Sequence, residues 1–122
     1  MVEESVVNSV RKFLEVVDRK GIPVSFGVLF GSQVSGRADR WSDIDLLVVS
    51  PRFDGARDRK EVYSLWHVAA RVDDRIEPIP CGVRQWEEDD ASTIVEIARR
   101  EGIVIPHERG GSDEETAPGK AL

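Results

Sequence analysis

Asp43 and Asp45 stand at the mouth of an apolar run, in "SDIDLLVVS". Side chains on a strand alternate, so a strand through this run points both carboxylates to one face. Their Cα atoms then lie about 7 Å apart, two strand steps. Two ionised groups this close repel unless one is protonated or a cation sits between them. Magnesium suits such a pair, because it takes a few carboxylates together with substrate phosphates and water. A plainer reading gives Asp43 to a turn, accepting hydrogen bonds from backbone amides ahead of the strand. Ile44, Leu46 and Val48 would fill the opposite face. Leu47 and Val49 would carry the carboxylate face into the protein, leaving the two acids at its rim.

Upstream lies a complementary piece, Gly31-Ser32, directly after the apolar run "VSFGVLF". Glycine lets a phosphate come close to the backbone. A helical turn beginning at Ser32 would present free amides and a positive dipole end to an anion. The Ser32 hydroxyl can donate to a phosphate oxygen, and Gly36 gives the connection a second permissive point. Arg37 and Arg40 could reach phosphate oxygens as charge-assisted donors; equally, they fit ordinary loop charges. One segment thus offers an anion cradle and a metal clamp, 11 residues apart from Ser32 to Asp43.

These residues need a scaffold. Val6, Val10, Phe13 and Val17, widened by Val7 and Leu14, predict an amphipathic helix over residues 3–20, stopped by Gly21 and Pro23. Residues 24–30 read as a buried strand and residues 43–50 as a second, closed by Pro51. Val62, Leu65, Trp66 and Ala69 predict a helix over 58–72. Residues 75–83 read as a third strand, placed at a sheet edge because Pro78 and Pro80 cannot donate to a ladder. A last helix over 92–101 carries Ile94, Ile97 and Ala98 as its stripe, Thr93 and Glu96 at capping-box spacing, and Gly102 as its stop. The acidic run at 87–90 reads as a solvated loop before it. "IVI" after Gly102 reads as a short strand ended by Pro106. The order α-β-β-α-β-α-β predicts an α/β fold with helices packed on a small sheet.

The chain has 122 residues, enough for one domain with its own core. The expected domain is 1–106, and 107–122 has too little apolar content to order itself. A net charge of −6 argues against binding bulk nucleic acid, yet allows a nucleotide held through cations. Cys81 is the only cysteine, so no internal disulfide forms, which fits a cytoplasmic protein. No apolar run approaches the roughly 20 residues needed to span a bilayer. Cys81 reads as a small packed residue, Trp41 as a packing residue with stacking on a base as the alternative, and His67 as a surface or half-buried histidine.

"GSQVSGRADRWSDIDLLVV" resembles the signature of the DNA polymerase β-like nucleotidyltransferase superfamily: Gly-Ser, a spacer, then Asp-x-Asp opening a strand. The small size resembles the minimal nucleotidyltransferases, many of them antitoxins in HEPN/MNT toxin–antitoxin pairs. The resemblance covers residues 10–105. It implies a compact nucleotidyltransferase fold with a mixed sheet. It also implies transfer of a nucleotidyl group, from ATP, to a hydroxyl with release of pyrophosphate, assisted by two magnesium ions. A third carboxylate on a later strand is implied, and the matching position is Glu77 in "DRIEPIP". Members often carry Asp there, so Glu77 is a departure, either as metal ligand or as general base. Asp73 and Asp74 are its rivals. With no second domain to hold an acceptor, the acceptor is expected on a partner, in a dimer, or as a protein, the resemblance implying a tyrosine of a HEPN toxin. The alternative is a non-catalytic antitoxin that neutralises its partner by complex formation, with the nucleotide site idle or regulatory.

Overall fold

The computed structural model describes residues 2–39, 41–55, 58–88 and 92–107. Helix α1 (Glu4–Arg19) buries Val6, Val10, Phe13, Leu14 and Val17, the stripe its periodicity predicts. Strand β1 (Phe26–Phe30) leads through Gly31 into a single helical turn, α2 (Ser32–Ser35). Strand β2 (Ile44–Val49) follows, then a 3₁₀ turn over Pro51–Phe53. Helix α3 (Arg59–Val72) is capped by Asp58, whose side chain accepts from the Lys60 amide. Strand β3 (Ile76–Cys81), helices α4 (Val83–Glu88) and α5 (Thr93–Glu101), and strand β4 (Ile103–Pro106) complete the chain.

The four strands run β3-β2-β1-β4 in a mixed sheet. β1 pairs antiparallel with β2 and β4, while β2 and β3 are parallel, joined across α3. As expected, β3 with its two prolines lies at an edge. The alternation of β2 divides the core. Leu29, Ile44, Leu46, Val48 and Ile76 face α1 and α3. Val28, Leu47, Val49 and Cys81 face Val95 and Ala98 of α5, with Trp86 of α4 packed alongside. Phe26 and Trp86 meet edge to face at 5.8 Å between ring centroids.

Several expectations change. Residues 83–88 are helical, so Glu87 and Glu88 are exposed on α4 and not in a loop, while the rest of the acidic run, 89–90, lies outside the described residues. The periodicity of six residues is too short to read, and Trp86 gains its packing only from Phe26 of a distant strand. Ser92, not Thr93, caps α5, accepting from the Val95 amide at 3.3 Å. That turns the helix so that Val95 and Ala98 are buried and Ile94 is exposed. In α3 the buried stripe is Leu65, Val68 and Ala69, and Trp66 faces outward. Trp41 is largely exposed and not a packing residue. His107, assigned to the tail by the sequence, is held against α1 with its Nε2 3.1 Å from Asp18 Oδ2. The rest of the expected tail, 108–122, lies outside the described residues. Among the described residues no helix is long and apolar enough to cross a membrane.

Candidate nucleotide and metal site

The carboxylates gather at one rim of the sheet, on the face that carries α4 and α5 deeper in. Asp45 sits on β2 opposite Phe30 of β1 and beside Glu77 of β3. Parallel neighbours in register share a face, so Asp45 and Glu77 are adjacent. Asp43 stands one residue ahead of β2, exposed, and completes the group. Burial, and then the charge of Asp43, raises the Asp45 carboxyl above its ordinary value. Burial also raises Glu77, followed by its hydrogen bond with Asp43 and the charges of Asp43 and Asp45. The three acids therefore feel one another as like charges held together by the register.

Asp73, a rival for the third position, is otherwise engaged. Its Oδ2 accepts from Arg75 Nη2 at 2.8 Å, and its Oδ1 accepts from Arg75 Nε and the Arg75 amide, both at 3.1 Å. Those hydrogen bonds from Arg75 lower its carboxyl to about 2. The Arg75 carbonyl in turn accepts from the Ile44 amide at 2.8 Å. This turn thus ties the start of β3 to the start of β2, setting Glu77 level with Asp45. Asp74 carries no comparable register constraint.

Gly31 closes the site from the other side. It adopts φ +80° and ψ −148°, a conformation L side chains avoid. A Cβ there would also collide with Asp45 Oδ2. Two constraints, backbone and contact, thus demand glycine at the position proposed for a phosphate cradle. Ser32 opens α2, whose Val34 and Ser35 amides both donate to the Gly31 carbonyl at 3.0 Å. The two amides ahead of them, of Ser32 and Gln33, precede the helical hydrogen-bond ladder. Gly36 ends the turn in the left-handed region at φ +84°.

Between cradle and carboxylates runs the connection that holds Arg37. Arg37 is exposed there, apart from the packed elements; Arg40 lies outside the described residues. The turn before β2 organises itself through Asp39. Its Oδ1 accepts from the Trp41 amide at 2.8 Å and from Ser42 Oγ at 3.3 Å. Gln33 is the residue that sequence reasoning passed over. It is 6% exposed, and its Nε2 donates to the carbonyls of Ser42 at 3.4 Å and Asp43 at 3.3 Å. Nothing in a polar stretch marks one glutamine as buried, so no signal distinguished it.

The donor set fits a hard divalent cation: carboxylates only, close enough to act on one another, at the rim of the sheet. The side chains are not drawn into a closed ligand set. Among the described residues no three His, Cys, Asp or Glu groups are already arranged to hold a metal ion. A shared proton already joins Glu77 to Asp43, and a cation would take its place when all three acids are ionised.

A family model described as a nucleotidyltransferase domain matches residues 10–104. Among solved structures, a toxin–antitoxin complex with AMP-PNP is similar at 24% identity and TM-score 0.55, over 90% of this chain and 78% of that one. A Sulfolobus solfataricus nucleotidyltransferase is similar at 16% identity and TM-score 0.56, over 82% and 78% of the two chains. A toxin–antitoxin complex of MntA and HepT is similar at 20% identity and TM-score 0.51, over 93% and 79%. At these identities the structures share the fold. No protein of curated function matches the chain.

Proposed function

The chain belongs to the nucleotidyltransferase domain family, and from that premise we propose that it transfers an AMP group from ATP to a hydroxyl of a partner protein, acting as an antitoxin. The observation that carries this is the meeting of Gly31, Asp43, Asp45 and Glu77 at one rim, from three separate elements. Asp43, Asp45 and Glu77 would hold magnesium, two ions by the family resemblance. When bound, these supply charge neutralisation at the α-phosphate and the leaving pyrophosphate. The Gly31-Ser32 backbone and the Ser32 hydroxyl bind the outer phosphates and align the α-phosphate for in-line attack. Arg37 and Arg40 serve as further phosphate donors from the connection.

The acceptor oxygen bonds to the α-phosphorus as the bond to the bridging oxygen of pyrophosphate breaks. Glu77 serves either as the third magnesium ligand or, when not bound to metal, as the base whose carboxylate takes the acceptor's proton. An edge strand suits that role, since an incoming protein hydroxyl can reach it without crossing the sheet. Two solved relatives of this fold are described as toxin–antitoxin complexes, and one of these contains AMP-PNP. That supports a toxin as the partner; its HEPN type and a tyrosine as acceptor are what the family resemblance implies.

The test is transfer of label. The protein, magnesium and ATP labelled at the α-phosphate should label a co-encoded toxin. Asp43→Asn with Asp45→Asn should cut the rate about 10³-fold, the several kcal/mol that a metal site supplies. Equal labelling by that double variant would remove these residues from the chemistry. A second reading, neutralisation by covering alone, draws on Tyr63 and Trp66, 58% and 47% exposed on the outer face of α3. It requires the double variant to neutralise the toxin as well as the native protein does.

A further inference from the structure

We propose that Gln33 is a positioning residue that couples the phosphate cradle to the metal clamp, so that each half of the site binds better when the other is filled. This rests on the nucleotidyltransferase reading of the site. Gln33 follows Ser32 in α2, yet its side chain turns away from solvent to the strand mouth. Its two acceptors are the carbonyls of Ser42 and Asp43. Those carbonyls belong to the two peptide planes that flank the Asp43 Cα. Gripping both planes sets φ and ψ of Asp43, and with them the direction of its carboxylate.

The assignment of the amide is not arbitrary. Both acceptors are carbonyl oxygens, so only the NH₂ end of Gln33 can face them. A methionine of similar length would leave the packing and remove the donor. A glutamate would set a carboxylate against two carbonyl oxygens. Neither the turn centred on Asp39 nor the Asp73–Arg75 pair makes this connection. The first joins residues 39 to 42 among themselves, and the second joins β3 to β2. Gln33 reaches from the cradle to the backbone of an acid in the clamp, and the Gly31 contact with Asp45 brings the other acid against the same turn. A displacement of α2 by bound phosphate would therefore be passed to Asp43 through one side chain.

The measurement is the affinity for a non-hydrolysable ATP analogue, with and without magnesium. The native protein should bind the analogue more tightly with magnesium. In Gln33→Met that enhancement should fall about tenfold, the cost of an unmet buried acceptor, while the magnesium-free affinity changes by less than about twofold. Gln33→Glu should lose it at least as fully. Unchanged enhancement in Gln33→Met overturns the proposal and leaves the site intact. Loss of magnesium-free affinity also overturns it, because Gln33 would then serve the cradle alone. Native protein with no enhancement sinks the reading of the site, and the proposal with it. Should the variants fail to fold, the side-chain amide resonances of Gln33 in the native protein decide. They should shift on adding magnesium alone and on adding the analogue alone. Response to only one ligand, or to neither, rejects the coupling.

Discussion

At its C-terminal end β2 runs into Val48, Val49 and Ser50, all with no measurable exposure; at its N-terminal end it begins beside exposed Asp43 and carries half-buried Asp45. At the far end hydrogen bonds tie the backbone and Ser50 into neighbouring segments. The Ser50 amide donates to the Cys81 carbonyl at 3.0 Å, the Ser25 amide to the Val49 carbonyl at 2.8 Å, and Ser50 Oγ accepts from the Arg52 amide at 3.0 Å. At the rim, by contrast, three acids share one corner and two of them have raised pKa values. One end of the strand is arranged for stability. The other keeps an electrostatic conflict that a cation would resolve, which is what a binding site needs and a core cannot hold.

The contrast can be broken from either side. The largest effect on folding should come from Leu47, fully buried midway along β2. Leu47→Ala should cost about 3 kcal/mol, as buried leucines do, read from denaturant unfolding. Per folded molecule, its magnesium-dependent analogue binding should stay unchanged. Binding that falls with stability would mean the rim is not separable from the core.

Gly31→Ala comes next. A positive φ and a collision with Asp45 act together, so about 2 kcal/mol of stability should go. Here analogue binding should fall as well, because the same residue lies in the proposed cradle. Retained binding in a destabilised variant would place the phosphates elsewhere.

The smallest effect sharpens the electrostatic half of the comparison. Asp45 and Glu77 have folded pKa values raised above their unfolded ones. Their contribution is therefore present below the ordinary carboxylate range and lost as pH rises through the raised values. Asp73 runs the other way: its contribution holds above 3.8 and is lost as pH falls through about 2. With chelator present, stability should thus decline as pH rises from about 4 towards neutrality. Magnesium should restore it at neutral pH and not at pH 4. Asp45→Asn should flatten the decline and stabilise the metal-free protein by about 0.5 kcal/mol, the scale of a like-charge pair across strands. A thermal melt series in chelator and in magnesium checks both. A destabilised Asp45→Asn in chelator would show that the acids do not repel.

Much of this architecture was legible in local pattern. The stripe of α1 survives residue by residue because a long amphipathic helix depends on its own periodicity. The edge position of β3 follows from Pro78 and Pro80, which cannot donate in a central strand. Short elements were less legible. α4 has six residues and is held by contacts with a distant strand, so its pattern carries no period. The α5 cap was misplaced by one residue, since Ser92 and Thr93 are both good caps and only packing of Val95 chooses between them.

The sequence by itself determined that Asp45 opens an apolar strand with Asp43 just ahead of it, because the apolar run marks the strand, and that glycine must follow β1 if a phosphate is to approach there. Tertiary structure alone decided that Glu77 stands level with Asp45. That register depends on a parallel pairing across the whole of α3 and on the Asp73–Arg75 turn, neither of which is a local pattern. It alone also decided that Gln33 is buried, because burial of a polar side chain in a loop depends on which carbonyls the fold brings to it.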